Sequence, residues 1–177
     1  LRPLCEGGFL GCGSNPLMRA VPVRDVGGYD PGLRRQAAEG CEDFQLYLAL
    51  AQRHDFAVVP EYLTGYRRLA TSMSSDLLQM QRSFTLVAEQ LLARRPDLRR
   101  HLRKGQASFL YSVFTRARDE GRRREARLLL GQYVRSFPYD AFKAFFFRPL
   151  RDAVRQQVGA SPQPGASSVG RRFPLPD

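Results

Sequence analysis

The stretch "EGCEDFQLYLALAQRHDFAVVP" (residues 39–60) carries the strongest fold signal in the chain. Two acids, Glu42 and Asp43, follow a glycine and open a run in which apolar side chains recur at helical spacing. A β-branched run then ends at a proline, as a short strand does. The stretch therefore predicts a helix from Glu42 to about Arg53 and a strand over residues 56–60.

The flanking segments extend this pattern. "GGFLGCGSN" (residues 7–15) predicts a strand that enters a tight loop, and "YLTGYRR" (residues 62–68) predicts a second short strand. Residues 1–75 are therefore predicted to be a mixed α/β unit.

Helical periodicity replaces this pattern from Ser74 onward, where a serine can cap the first turn. The last stretch is rich in Gly, Pro, Ala and Ser and is predicted to be a disordered tail, residues 159–177. Residues 76–158 are accordingly predicted to form a helical C-terminal region. The predicted helices span residues 74–95, 97–119, 122–138 and 139–157, the last with a break near Pro149.

Composition narrows the function classes. The chain has 177 residues, no signal-peptide pattern and no apolar run of the roughly 20 residues that a bilayer crossing needs. We expect a cytoplasmic protein.

Its three cysteines, Cys5, Cys12 and Cys41, have no CxxC spacing, and the two histidines, His54 and His101, lie far apart in the sequence. This pattern argues against a zinc site and a disulfide framework.

The net charge of +11 is unevenly distributed. Residues 1–81 contain 8 basic and 9 acidic side chains, whereas residues 82–158 contain 18 basic and 7 acidic ones. The basic clusters at 93–105 and 116–127 are typical either of solvated helix faces or of contacts with an anionic partner.

Five short motifs follow one another in a characteristic order between residues 11 and 76. The motifs are Gly27-Gly28-Tyr29-Asp30, Glu42-Asp43, Val58-Val59-Pro60, Tyr66-Arg67 and Ser72-Met73-Ser74. This region resembles the second half of family-2 glycosyltransferases of the GT-A fold. The resemblance implies an α/β, Rossmann-like fold in which residues 1–75 are the acceptor-side part of the glycosyltransferase domain, followed by an α-helical appendage.

The resemblance implies a catalytic role for the acidic pair. In inverting members of the family, the position of Asp43 is the general base that takes the proton from the acceptor hydroxyl, and Glu42 is its neighbour in the motif. An acid in the first turn of a helix also complements the helix dipole, for about 0.3–1 kcal/mol, without any catalytic role. Both interpretations of Asp43 are open at this point.

The same resemblance implies substrate-binding residues in two other motifs. Residues Gly27, Gly28, Tyr29 and Asp30 would shape the acceptor side of the cleft, while Tyr66 and Arg67 would lie near the donor diphosphate. Each has a plainer alternative: the glycines suit any turn, Tyr66 suits a core and Arg67 suits a solvated surface.

Two departures from the family pattern stand out. Leu69 occupies a position where the family often has a histidine, and an Asp-x-Asp motif for a metal-bound diphosphate is absent. We therefore expect the nucleotide-binding N-terminal half to be missing and the chain to be a fragment that is inactive alone. For the full-length enzyme the resemblance implies Mg²⁺ or Mn²⁺, with ligands outside this chain.

The implied partners are a nucleotide-sugar donor and a glycan or lipid-linked acceptor, in cell-surface polysaccharide or glycolipid synthesis. The alternative is a non-enzymatic basic helical module that binds an anionic membrane surface or nucleic acid. Of these two surfaces the membrane is favoured, because "AFKAFFFR" (residues 141–148) places aromatic beside basic residues. We therefore predict contact with the inner face of the membrane and no nucleic-acid partner.

Overall fold

The computed structural model describes residues 1–7, 10–59, 61, 63–65, 69 and 71–147. They belong to two compact units, Leu1–Tyr133 and Val134–Asp177. The predicted tail, the end of the fourth predicted helix, Pro60, Tyr66 and Arg67 lie outside the described residues.

Within the described residues the regular structure is helical, and no β-strand is present. The prediction of an α/β, Rossmann-like GT-A fold is therefore wrong. Short 3₁₀ turns occupy Met73–Ser75 and Pro96–Leu98, and a π-helical turn occupies Lys143–Phe147. The α-helices are α1 (Arg2–Glu6), α2 (Ala20–Asp25), α3 (Gly32–Arg35), α4 (Glu42–Leu50), α5 (Leu77–Arg94), α6 (Arg99–Asp119), α7 (Arg123–Ser136) and α8 (Pro138–Phe142).

The strand prediction for residues 56–60 fails for a physical reason. Val58 and Val59 are 67% and 58% exposed, so their side chains do not face a core. A strand is stabilised by ladder partners and by side-chain packing across the sheet, and β-branched residues alone supply neither. Phe56 to Val59 therefore has no regular secondary structure.

The long helices form where periodicity predicts them. The first of these, α5, begins three residues later than expected, because Asp76 rather than a serine is the N-cap and its Oδ1 accepts the Gln79 N–H at 2.9 Å. The serines belong instead to the preceding 3₁₀ turn. The predicted breaks at Pro96 and Gly121 are confirmed, and Gly121 adopts a left-handed φ of +73° between α6 and α7.

The core of the first unit lies between α4, α5 and α6. The Phe84 ring of α5 stacks on Phe44 of α4 and on Phe109 of α6, with centroids 4.9 and 4.2 Å apart. Helix α1 packs on α6 at Gly105, where an added Cβ would collide with the backbone carbonyl of Cys5. Other buried residues of this core include Leu4, Leu33, Tyr47, Leu48, Val87, Leu91, Leu98 and Leu102.

The second unit begins within α7 and contains α8 and the π-helical turn. Its Phe142 ring stacks on Phe146 at 4.9 Å and meets Phe147 edge-on at 5.7 Å. Across the part of the chain that is described, no helix combines the length and the apolar character that crossing a bilayer requires.

Candidate functional site

A surface cavity of about 260 Å³ lies where the start of α4 meets the turn that precedes α5. It brings together the acidic pair, one predicted substrate-binding residue and a serine turn. Its lining residues are Tyr29, Gly40, Glu42, Asp43, Ser72, Met73, Ser74 and Met80.

Asp43 is the half-buried carboxylate of this cavity. Burial raises its pKa, while hydrogen bonds from backbone N–H groups oppose that rise; the Phe44 N–H donates to Oδ1 at 2.7 Å. The loop at Gly13 approaches closely, since a Cβ added there would lie 3.9 Å from the Asp43 Cβ. Asp43 is therefore held in place, and its raised pKa makes its ionised form a stronger proton acceptor than an exposed aspartate.

Glu42 has a different environment although it lines the same cavity. Its Oε2 accepts the Gly40 N–H at 2.9 Å, which ties the start of α4 to the loop before it. Gly40 has φ +127°, a backbone conformation that favours glycine, and a Cβ there would also displace the flexible Met80 side chain, whose Sδ would lie 2.5 Å away. Glu42 thus holds the loop that forms one edge of the cavity.

The start of α4 is also attached to α5. The Cys41 N–H donates to the Oγ of Ser83 at 3.0 Å, and Ser83 is fully buried. Burial raises the pKa of the Cys41 thiol to about 12, so this cysteine stays protonated at neutral pH and is structural rather than nucleophilic. This attachment places Asp43 beside the turn before α5.

The Gly-Gly-Tyr-Asp motif contributes one cavity residue and one turn. Gly27 and Gly28 adopt φ values of +89° and +67°, which explains both glycines by backbone conformation. Tyr29 lines the cavity and is about half exposed. Asp30 lies outside the lining; its Oδ1 accepts the Gly32 N–H at 2.8 Å and so forms a local turn of the Asx type just before α3.

The turn before α5 forms a wall that the predicted site residues did not include. Its side chains bond back to its own backbone: the Ser72 Oγ donates to the Leu69 carbonyl at 2.7 Å, and the Ser75 Oγ donates to the Ser72 carbonyl at 2.6 Å. Ser72, Met73 and Ser74 line the cavity. Their position at the end of the ordered motif series was the available signal, although periodicity suggested only a helix cap.

Metal-ligating side chains do not gather at this site. No group of three or more His, Cys, Asp or Glu side chains arranged for a metal occurs among the residues that the structure describes. No described residue is therefore assigned to the Mg²⁺ or Mn²⁺ that the resemblance implies.

Comparison with known proteins gives no match, whether to family models, to curated proteins or to solved structures. The functional argument therefore depends on the cavity and its residues.

Proposed function

We propose that the chain supplies the general base of a sugar-transfer reaction, with Asp43 as that base. The observation that supports this most is the position of Asp43: a half-buried carboxylate with a raised pKa lines a surface cavity at the start of a helix. A first-turn acid that served only the helix dipole would need neither burial nor a cavity. The order of the sequence motifs supplies the reaction class.

In this reaction the acceptor hydroxyl gives its proton to Asp43 as its oxygen attacks the anomeric carbon of a nucleotide sugar. The new C–O bond forms as the bond to the nucleoside diphosphate breaks, and the diphosphate leaves with the electron pair. Attack from the face opposite the leaving group inverts the anomeric configuration. Donor binding and the binding of a divalent metal are assigned to none of the described residues.

The cavity volume suits the acceptor side of such a reaction. About 260 Å³ lies just below the roughly 300–1,000 Å³ typical of ligand sites, so the cavity can take a sugar-sized group rather than a whole nucleotide sugar. Tyr29 offers an aromatic face, and the Ser72 hydroxyl, which donates its hydrogen to the Leu69 carbonyl, still has oxygen lone pairs that can accept a hydrogen bond. Aromatic and hydroxyl groups together suit a carbohydrate acceptor, either a glycan or a lipid-linked sugar.

Asp43→Asn is the decisive variant for this function. In the full-length protein, we expect it to reduce transfer from a nucleotide-sugar donor by at least about 10²-fold, because the general base is lost. Donor binding, measured by calorimetry, stays nearly unchanged. The matched control is Asp55→Asn, which alters an exposed carboxylate away from the cavity. Wild-type turnover in Asp43→Asn would remove Asp43 as the base.

The same variant, which is expected to lower activity, is expected to raise stability at neutral pH. Because burial raises the folded-state pKa of Asp43, this residue makes the fold less stable as pH rises from its unfolded pKa through its folded pKa. Asp43→Asn is therefore expected to increase the free energy of unfolding at pH 7 relative to the wild type, measured by urea denaturation. At a pH below both pKa values the difference should vanish. A loss of stability at pH 7 would contradict the burial argument.

A second candidate role is peripheral binding to an anionic membrane, on the cytoplasmic side. The aromatic surface of residues 139–147 favours it: Tyr139, Phe142, Phe146 and Phe147 are each at least half exposed. The Lys143 Nζ lies 4.6 Å from the centroid of the Tyr139 ring. Exposed aromatic rings beside a cation are typical of segments that lie in the headgroup region of a bilayer.

Flotation with lipid vesicles tests this second role. We expect the protein to float with vesicles that contain anionic lipid at low salt, and to float poorly with neutral vesicles or at high salt. Phe146→Ser should reduce the floated fraction severalfold, whereas Leu128→Ser, at an exposed leucine of α7, should leave it unchanged. Equal flotation by both variants, or none by the wild type, would exclude the aromatic surface as the contact.

A further inference from the structure

Two arginines near the C-terminal end of the first unit donate hydrogen bonds to the turn that lines the cavity. The Arg116 Nη1 donates to the Ser74 carbonyl at 2.8 Å, and the Arg122 Nη1 donates to the Ser75 carbonyl at 2.5 Å. More than 40 residues of sequence separate each arginine from its carbonyl partner. These contacts link the α6–α7 junction directly to the cavity wall.

Carboxylates fix the orientation of both arginines. The Arg116 Nε donates to Glu120 at 2.8 Å, and Arg122 donates to both carboxylate oxygens of Glu125, at 2.9 and 2.6 Å. Because a guanidinium group has five N–H donors in a rigid plane, pairing one edge with a carboxylate aims the remaining N–H groups in a set direction. Here that direction is the backbone of the turn.

An outside contact adds stability to such a turn. Carbonyl groups at the end of a helical turn have no partner within the turn, and a single 3₁₀ turn is weak by itself. Arg116 and Arg122 satisfy carbonyl groups of Ser74 and Ser75. Their side chains are 29% and 28% exposed, so water screens these bonds only partly.

The geometry points to Arg116 and Arg122 as positioning residues that fix the Ser72–Ser75 turn, of which Ser72, Met73 and Ser74 line the cavity containing Asp43. This inference rests on the proposed function for its catalytic consequence. The α6–α7 junction thereby sets how the acceptor is oriented, without touching the acceptor itself. It also gives the α6–α7 junction a role in the activity of a site that this junction does not line.

The test compares Arg116→Gln/Arg122→Gln with Arg124→Gln, an exposed arginine one residue from Glu125 that makes neither contact. In the double variant the Ser75 and Asp76 amides, which bond within the turn, should exchange hydrogen about tenfold faster. The Asp43 carboxyl should titrate closer to its ordinary range in NMR spectra, because water enters beside it. The KM for the acceptor should rise severalfold with little change in kcat. Arg124→Gln should change none of these.

A second variant covers the case in which the double variant does not fold. Glu125→Gln leaves both arginines in place but weakens the pair that aims Arg122, so it should give a smaller change in the same three measurements. Unchanged amide exchange in these variants would overturn the inference. Faster exchange with unchanged Asp43 titration and unchanged acceptor KM would also overturn it, because the contact would then be structural only. Absence of transfer by the wild type would refute the proposed function alone, since exchange and titration would still decide the positioning role.

Discussion

The two halves of α6 both contact segments that are distant in sequence, but they do so by different means. The first half meets α1 through a glycine and close backbone packing, at Gly105 and Cys5. The second half, with the start of α7, meets the cavity turn through the Arg116 and Arg122 side chains. Close packing tolerates no added atom, whereas a hydrogen bond between a side chain and a carbonyl can be lost while the fold remains. The first contact therefore contributes mainly stability, and the second contributes mainly the shape of the cavity.

The largest expected effect is at Gly105. Gly105→Ala should lower the free energy of unfolding by about 3 kcal/mol, because the new methyl group collides with a backbone carbonyl that cannot move without displacing α1. The matched control is Gly131→Ala in α7, where nothing lies within 4 Å of the new Cβ. That change should stabilise by up to about 1 kcal/mol. Equal effects of the two variants in urea denaturation would show that α1 does not pack on α6 as described.

A smaller effect is expected at the second contact. Arg122→Gln should lower the free energy of unfolding by about 1–2 kcal/mol, since it removes a charged hydrogen bond to a carbonyl and a paired carboxylate contact at a partly exposed position. Thermal or urea denaturation measures it. If Arg122→Gln destabilises the protein more than Gly105→Ala does, the division of roles between the two halves of α6 is wrong.

The smallest expected effect is at Glu6. Its ion pairs form the polar part of the contact between α1 and α6, apart from the close packing at Gly105. Glu6 pairs with Lys104 and His101, and hydrogen bonds from both hold the pKa of Glu6 below its ordinary value. A carboxyl whose folded pKa is lowered adds stability above its unfolded pKa and loses it as pH falls through the folded pKa. Glu6→Gln should therefore cost little at pH 7 and flatten the loss of stability below about pH 4.

If Glu6→Gln loses stability with falling pH as much as the wild type does, these pairs do not contribute to the pH dependence of stability. The exposed pair Arg95–Asp97 serves as the control. Asp97 also has a lowered pKa, but it pairs with a residue only two positions away and does not join α1 to α6.

Sequence patterns predicted the helices well and the architecture of residues 1–75 poorly. The apolar stripes of α5, α6 and α7 are long, so periodicity identified them, and Pro96 and Gly121 were correct as boundaries. Short β-branched runs have no comparable long repeat of apolar residues by which to identify a strand. A strand depends on a neighbour that the run itself does not encode, and at Val58 and Val59 that neighbour is absent from the described residues.

The candidate site was predictable only in part. Asp43 and Tyr29 were named from motif order, and the structure places both in one cavity. The serine wall and its arginine contacts were not named, because arginines in a basic, helical segment look like solvated charges. Only the folded backbone shows which carbonyl groups they meet.

The sequence by itself determined where the long helices begin and end, since side-chain periodicity, capping residues, proline and glycine act over a few residues. The tertiary structure alone decided that Gly105 must be glycine, that Asp43 is half-buried and that Arg116 and Arg122 hold the cavity turn. Those properties depend on groups tens of residues apart in sequence meeting within a few ångströms. Local pattern does not encode such distances; packing of the whole unit does.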